Sequence, residues 1–245
     1  MTYTTRPSPI LRAVGASTFL LFAAAGCGDE GAQVEASAQA TGGPAETETL
    51  DLSWLGHDEG NEATAAFGVI EFADFGCIHC YDFHQDSYAA LHAEFIASGD
   101  LLWKYVPVTL AGFPNSELAA ISAVCAADLG GFTEMRDHLY ETQPEWIVSD
   151  RGMALFVEYA ESVGLNTDQF QACLLEPRAM ARLEANNAMA RQAGVRGTPT
   201  FLIAGSPVQG APPLENFQGA LREMIAEARA LESGGGAAPP PAASP

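Results

Sequence analysis

The sequence has few basic residues, with 11 Lys and Arg against 31 Asp and Glu and a formal net charge of −20 over 245 residues. Lys104 is the only lysine. A surface this acidic repels phosphate groups, which argues against nucleic acids and anionic lipid headgroups as partners. The charge balance by itself identifies no substrate.

The N-terminal apolar stretch, from Val14 to Ala25, is too short to cross a bilayer comfortably. Arg6 and Arg12 precede it. A basic segment followed by a short apolar segment is typical of an export signal, which we predict at residues 1–26. The mature protein should therefore function outside the cytoplasm, where disulfides persist.

The predicted signal ends in Ala24-Ala25-Gly26-Cys27, which resembles the lipobox of bacterial lipoproteins. Ala24 departs from that pattern, because leucine is commoner there. The resemblance implies that Cys27 becomes the mature N-terminus and carries lipid. The protein would then be anchored in the cell envelope and face the periplasm or the extracellular side. The alternative is ordinary cleavage near Ala25, which leaves Cys27 unpaired.

Both ends of the mature chain have a composition that does not support a packed core. Residues 27–50 are rich in Gly, Ala, Glu, Thr and Ser without apolar periodicity, which predicts a flexible tether. Residues 233–245 are rich in Gly, Ala and Pro, which predicts a disordered tail. Residues 51–232 remain, and they suffice for one domain with a sizeable core.

The hydrophobic pattern of that domain predicts an α/β fold. Apolar runs and helical periodicities give the order β-β-α-β, then an all-helical block at about residues 113–193, then β-β-α. Such units form a mixed central sheet flanked by helices. The helical block is therefore predicted to be an insertion between two halves of one sheet.

Cys77 and Cys80 are three residues apart, directly after a predicted strand and at the start of a predicted helix. Cys77 would lie among unpaired backbone N–H groups, where the helix dipole favours the thiolate. Such a pair can exchange disulfides, with Cys77 attacking and Cys80 resolving the mixed disulfide. The spacing also suits a metal, and His84 would complete a three-ligand copper or zinc site.

His79 lies between the two cysteines. A cation or N–H donor there stabilises the Cys77 thiolate and the reduced form, which favours an oxidant of other proteins. The alternative is a solvent-facing histidine with little coupling to the thiols. We interpret His84 as an exposed helical residue and Asp74 as a surface or loop-entry acid.

Cys125 and Cys173 remain once proximity pairs Cys77 with Cys80. Both lie in predicted helices. In an oxidising compartment the even number favours a structural Cys125–Cys173 disulfide. The alternative is two independent buried thiols that behave as small apolar residues.

Four segments together resemble DsbA-like thiol–disulfide oxidoreductases, which have a thioredoxin fold with an inserted helical domain. The segments are residues 71–80, 123–127, 170–174 and 194–201. The similarity extends over residues ~55–231. Ile78 departs from the family pattern, which often has proline there.

The resemblance assigns further roles. Glu71 would be a buried acid that accepts the proton of Cys80. Pro199 would be a cis-proline that faces the dithiol and exposes the Thr198 backbone to an extended client strand. The implied function is disulfide exchange with client proteins, as an oxidase or alternatively as a reductase or isomerase. A membrane redox partner would recycle the dithiol, and no cofactor is implied.

Overall fold

Five strands form one mixed sheet in the computed structural model, which describes residues 55–234. The strands are β1 (His57–Glu59), β2 (Phe67–Ala73), β3 (Leu101–Pro107), β4 (Thr200–Ile203) and β5 (Ser206–Gln209). Their order across the sheet is β1-β3-β2-β4-β5. The β2–β3 pair is parallel and the other pairs are antiparallel. The central strand β2 therefore leads directly into the predicted dithiol.

Helix α1 occupies residues 78–96 and mixes two geometries. Ile78–Phe83 and Ala89–Leu91 are α-helical, whereas His84–Tyr88 and His92–Ile96 form wider π-helical turns. Such turns are rare and are often found at functional sites. The other helices are α2 (Ser116–Asp128), α3 (Phe132–Glu141), α4 (Gln143–Trp146), α5 (Met153–Ser162), α6 (Thr167–Leu174), α7 (Pro177–Gln192) and α8 (Leu214–Gly234).

The two faces of the sheet are covered by different helices. Alternate side chains of a strand point to opposite faces, so Val69 and Ile70 belong to separate cores. On the face of Val69, apolar residues of α1 and α8 pack against Trp103 and Phe201. On the face of Ile70, the C-terminal half of α7 completes the core. This layering gives the active-site segment a rigid support.

Helices α2 to α7 lie between β3 and β4 and form a third core. Helix α2 is buried on most of its surface, because its many alanines let neighbouring helices approach closely. This core also includes Cys77 and Cys80. The helical insertion therefore packs directly against the start of α1.

The predicted element order and the thioredoxin fold with a helical insertion are confirmed. Helix α4 is the one element that the sequence does not predict, because a proline such as Pro144 usually marks a break between two helices. Pro144 instead lies in the first turn of α4, where proline costs no hydrogen bond.

The predicted export signal, the lipidation site at Cys27 and the tether lie outside the described residues, as does most of the predicted tail. Ser233 and Gly234, the first two residues of that tail, still belong to α8. Between residues 55 and 234, no helix has both the length and the apolar character needed to cross a membrane.

Candidate active site

Cys77 and Cys80 occupy the first turn of α1. Cys77 is the N-cap, with extended backbone angles of φ −81° and ψ 123°. Gly76 precedes it without a side chain because an added Cβ would lie 2.5 Å from Cβ of Phe113. Cys77 is 6% exposed and Cys80 is 0% exposed. The first thiol is therefore the more accessible one, as predicted.

The segment around Thr198 faces Cys77 across the site. Strand β4 pairs with β2, with Thr200 opposite Phe72, and this pairing brings the residues before β4 next to the start of α1. Cys77 Sγ lies 3.2 Å from the carbonyl oxygen of Thr198, and the thiol donates a hydrogen bond to this oxygen when it is protonated. The Thr198-Pro199 peptide bond is cis, as the resemblance implied. Residues 121 positions apart thus form one site.

The two thiols have opposite electrostatic environments. The pKa of Cys77 is lowered from 9.0 to about 5, mainly by the hydrogen bond from the Cys80 thiol. The Thr198 side chain and the backbone N–H groups of Cys80 and His79 lower it further, while burial opposes them. Burial, followed by the neighbouring Cys77, raises the pKa of Cys80 well above its ordinary value. Cys77 is therefore a thiolate at neutral pH, and Cys80 keeps its proton.

The two residues between the cysteines point outwards. Ile78 is 55% exposed, and the side chain of His79 is also exposed. Within residues 55–234, the His79 side chain makes no hydrogen bond. The contribution of His79 comes from its backbone N–H, which lowers the pKa of Cys77. The predicted role of its imidazole remains a proposal.

Glu71 is a fully buried acid on β2, on the sheet face that α1 covers. Trp103 Nε1 donates to Glu71 Oε2 at 3.0 Å, and His84 Nε2 lies 2.9 Å from Glu71 Oε1. Both carboxylate oxygens therefore have partners. The π-helical turn that begins at His84 carries its ring to this position.

The prediction that His84 is exposed is wrong. Its side chain is 3% exposed and stacks against the rings of Tyr88 and Tyr140, at centroid distances of 4.7 and 4.3 Å. The sequence carried a signal for this position, because His84 follows Cys80 by four residues and shares its helix face.

Asp74 lies at the entry to the loop after β2, which is one of the two predicted alternatives, but the other alternative, a surface acid, is wrong, because Asp74 is completely buried. Its Oδ1 accepts hydrogen bonds from the Gly76 N–H at 2.9 Å and from the Ser116 hydroxyl. Burial raises the pKa of Asp74 to about 6, against the effect of these two bonds. An Asp two residues before a Gly is typical of a turn, and that signal was available from the sequence.

Gln143 is a second residue that the sequence did not reveal. Its side-chain amide donates to the carbonyl oxygens of Phe75 at 2.6 Å and of Cys77 at 3.2 Å. It lies on the missed helix α4, and local sequence gives no reason to connect it with the dithiol. Gln143 ties the helical insertion to the segment that carries the thiols.

Cys125 on α2 and Cys173 on α6 form a disulfide with a Cα–Cα distance of 5.8 Å. Both residues are buried in the core of the insertion. The bridge links two cysteines that are 48 positions apart in the chain. It joins two helices of the insertion and can act as a structural constraint.

The donors proposed for copper or zinc do not come together. Among residues 55–234, no group of three or more His, Cys, Asp or Glu side chains is arranged to hold a metal ion. His84 is directed to Glu71 rather than to the thiols. The residues present therefore do not fit the three-ligand site of Cys77, Cys80 and His84.

The fold and the site define a thioredoxin-fold protein with a dithiol at a helix start and an inserted helical block. A family model described as Thioredoxin matches residues 57–223, and the chain belongs to this family. The crystal structure of oxidised BdbD from Bacillus subtilis superposes with a TM-score of 0.64 at 18% identity. That alignment covers 71% of this chain and 95% of BdbD, which shows a shared DsbA-like fold.

Two relatives by sequence carry different names. Na(+)/H(+) antiporter NhaA 3 from Salinispora tropica is 31% identical over 167 residues, which are 68% of this chain and 24% of the antiporter. Disulfide bond formation protein D from Bacillus subtilis is 26% identical over 156 residues, which are 61% of this chain and 66% of that protein. The chain thus spans about a quarter of the first relative and about two thirds of the second.

Proposed function

We propose that this protein exchanges disulfides with client proteins through Cys77 and Cys80, and that it acts as an oxidase. The observation that carries the proposal is the asymmetry of the dithiol. The pKa of Cys77 is about 5, whereas that of the fully buried Cys80 is raised. Exchange needs one accessible thiolate and one protected partner, and this pair supplies both. The name of the Bacillus subtilis relative, Disulfide bond formation protein D, agrees with this reaction class.

In the proposed reaction a client thiolate attacks Cys77 in the oxidised Cys77–Cys80 pair. The client–Cys77 bond forms, the Cys77–Cys80 bond breaks, and Cys80 leaves as a thiolate that takes up a proton. The second client thiolate then attacks the client sulfur that is bonded to Cys77. The client disulfide forms, and Cys77 is released as a thiolate. The client loses two electrons and the dithiol gains them. Glu71 would exchange the Cys80 proton, and the Thr198 backbone would align the client strand.

Whether the protein oxidises or reduces its clients depends on whether the reduced or the oxidised form of the Cys77–Cys80 pair is more stable. Every interaction that lowers the pKa of Cys77 stabilises the reduced pair, and a disulfide whose reduced form is favoured is a strong oxidant. The exposed imidazole of His79 would add to this effect when it is protonated. A reductase or isomerase is the alternative direction. A reduction potential near −120 mV would indicate an oxidant, and one near −270 mV a reductant.

We further propose that the signal at residues 1–26 exports the protein and that Cys27 carries lipid. The protein would then meet client proteins in the cell envelope, with a membrane redox partner reoxidising the dithiol. Mass spectrometry of the protein extracted from membranes tests this arrangement. A mature N-terminus other than lipid-modified Cys27 would contradict the anchor.

Two serine variants test the exchange chemistry. Cys77→Ser should abolish both insulin reduction and oxidation of a dithiol peptide, because no attacking thiolate remains. Cys80→Ser should keep the first step and accumulate mixed disulfides with clients, visible on non-reducing gels. Unchanged turnover of Cys77→Ser would refute the assignment of the attacking thiol.

A further inference from the structure

Two buried acids lie near the dithiol, and they differ in how their oxygens are used. Both oxygens of Glu71 have partners, in Trp103 and His84. Asp74 has both hydrogen bonds on Oδ1, while Oδ2 is buried and has no partner among the described residues. A buried carboxylate oxygen without a partner is costly when it is charged, so burial favours the protonated form of Asp74.

We propose that Asp74 is a positioning residue whose protonation is coupled to the redox state of the Cys77–Cys80 pair, beside the Glu71 role that the resemblance assigns. This inference rests on the proposed exchange function. Asp74 does not contact the client protein. It acts through Cys77, by holding a negative charge or a proton beside the thiolate.

The turn between β2 and α1 fixes the carboxyl group close to the thiols. The Cys77 N–H donates to the Asp74 carbonyl oxygen at 3.0 Å, and the Gly76 N–H donates to its carboxylate. The Cys80 N–H in turn donates to the Cys77 carbonyl oxygen at 3.2 Å. The carboxyl group is therefore held by the same short segment that presents both sulfurs.

No described residue supplies Asp74 with a cation. From α2 it receives the uncharged Ser116 hydroxyl, and the neighbouring Glu117 is exposed. From α1 the titratable groups are Cys77 and Cys80. Burial raises the pKa of Asp74 to about 6, and the charge of Cys77 acts in the same direction. The interaction of two like charges is mutual, so ionised Asp74 raises the pKa of Cys77 by the same amount.

This coupling has a consequence for the proton balance. A client dithiol gives up two electrons and two protons when it reduces the Cys77–Cys80 disulfide. One proton stays on Cys80, and Cys77 remains a thiolate near neutral pH. Repulsion from that thiolate makes Asp74 bind a proton more tightly in the reduced form than in the oxidised form. Part of the second proton therefore goes to Asp74, and the rest goes to solvent.

Asp74→Asn tests the coupling, because asparagine keeps the shape and the Oδ1 acceptor but removes the charge. At pH 8 the variant should shift the equilibrium with glutathione towards the reduced dithiol by roughly tenfold, or about 30 mV. Its Cys77 alkylation midpoint should move to lower pH. The matched control is Glu117→Gln, which removes an exposed acid beside Ser116 and should leave both values unchanged. Wild-type values in Asp74→Asn would overturn the inference.

A second measurement avoids any folding defect of the variant. Carbon-13 NMR titration of the Asp74 carboxyl in the wild-type protein should give a higher pKa in the reduced form than in the oxidised form, by about one unit. Equal values would also overturn the inference. Failure of the underlying function is distinguishable, because the wild type would then not equilibrate with glutathione at all.

Discussion

Cys77 should be alkylated faster than an ordinary thiol at low pH and more slowly at high pH. This reversal tests the low pKa of Cys77, on which the proposed function depends. The pKa of Cys77 is about 5, against an ordinary value of 9.0. At pH ~6 its thiolate fraction is then about 0.9, against about 0.001 for the ordinary thiol, a ratio of roughly 900. A thiolate of low pKa is also a weaker nucleophile.

The weaker nucleophilicity can be given a magnitude. With a Brønsted coefficient of ~0.5, a pKa difference of about four units lowers the intrinsic rate about 100-fold. Cys77 should therefore react roughly ninefold faster than the ordinary thiol at pH ~6. At pH ~8 the advantage in thiolate fraction falls to about elevenfold, so Cys77 should react roughly ninefold slower. This reversal is specific to an acidic thiol.

The assay is alkylation of the fully reduced protein by iodoacetamide from pH ~4 to pH ~9, with mass spectrometry of the peptide that contains Cys77. A cysteine-containing peptide is the reference. An alkylation midpoint near pH ~8.5, without a rate reversal, would refute the reasoning.

Substitutions of Cys80 provide the matched control. The hydrogen bond from the Cys80 thiol is the largest cause of the low pKa of Cys77. Cys80→Ala removes this donor, so the Cys77 midpoint should move to higher pH. Cys80→Ser keeps a donor and should move it less. Equal midpoints in the two variants would contradict the assigned cause.

Two predictions concern stability. The double variant Cys125→Ala/Cys173→Ala opens a loop with a sequence separation of 48, which should cost about 4 kcal/mol and lower the melting temperature by roughly 8–16 °C. Calorimetry checks it, and equal melting would contradict a stabilising bridge. Arg136→Met should destabilise the fold by about 3 kcal/mol, because Arg136 is buried and its loss leaves Glu59, whose side chain is 8% exposed, without its guanidinium partner. The control Arg151→Met breaks an exposed pair and should leave the urea denaturation midpoint nearly unchanged.

The fold could be predicted largely because its signals are local. The apolar run at residues 69–75, the helical periodicities and the glycine and proline breaks depend on neighbours within about two turns of the chain. Helix α4 was missed because Pro144 interrupts a helix interior but is accepted in a first turn. Proline therefore can end one helix or begin the next, and the sequence alone does not distinguish these two positions.

The site could be predicted only in part. Cys77 and Cys80 form a local motif, and a resemblance connected them with Thr198 and Pro199. The burial of Asp74 was not predictable in this way, because it depends on packing against α2, which starts more than 40 positions later. A polar side chain at a strand end can face water or protein, and only the surrounding helices decide which.

The sequence by itself determined the order of strands and helices and the position of two thiols at a helix start, since backbone preferences and hydrophobic periodicity act over short distances. Only the tertiary structure decided the environment of each charge. In the folded chain both carboxylate oxygens of Glu71 have hydrogen-bond partners, whereas one oxygen of Asp74 has none among the described residues. His84 is buried between two tyrosine rings. Solvation and hydrogen bonding depend on distant segments that meet only in the folded chain, which is why the burial of Asp74 and His84 does not follow from the sequence.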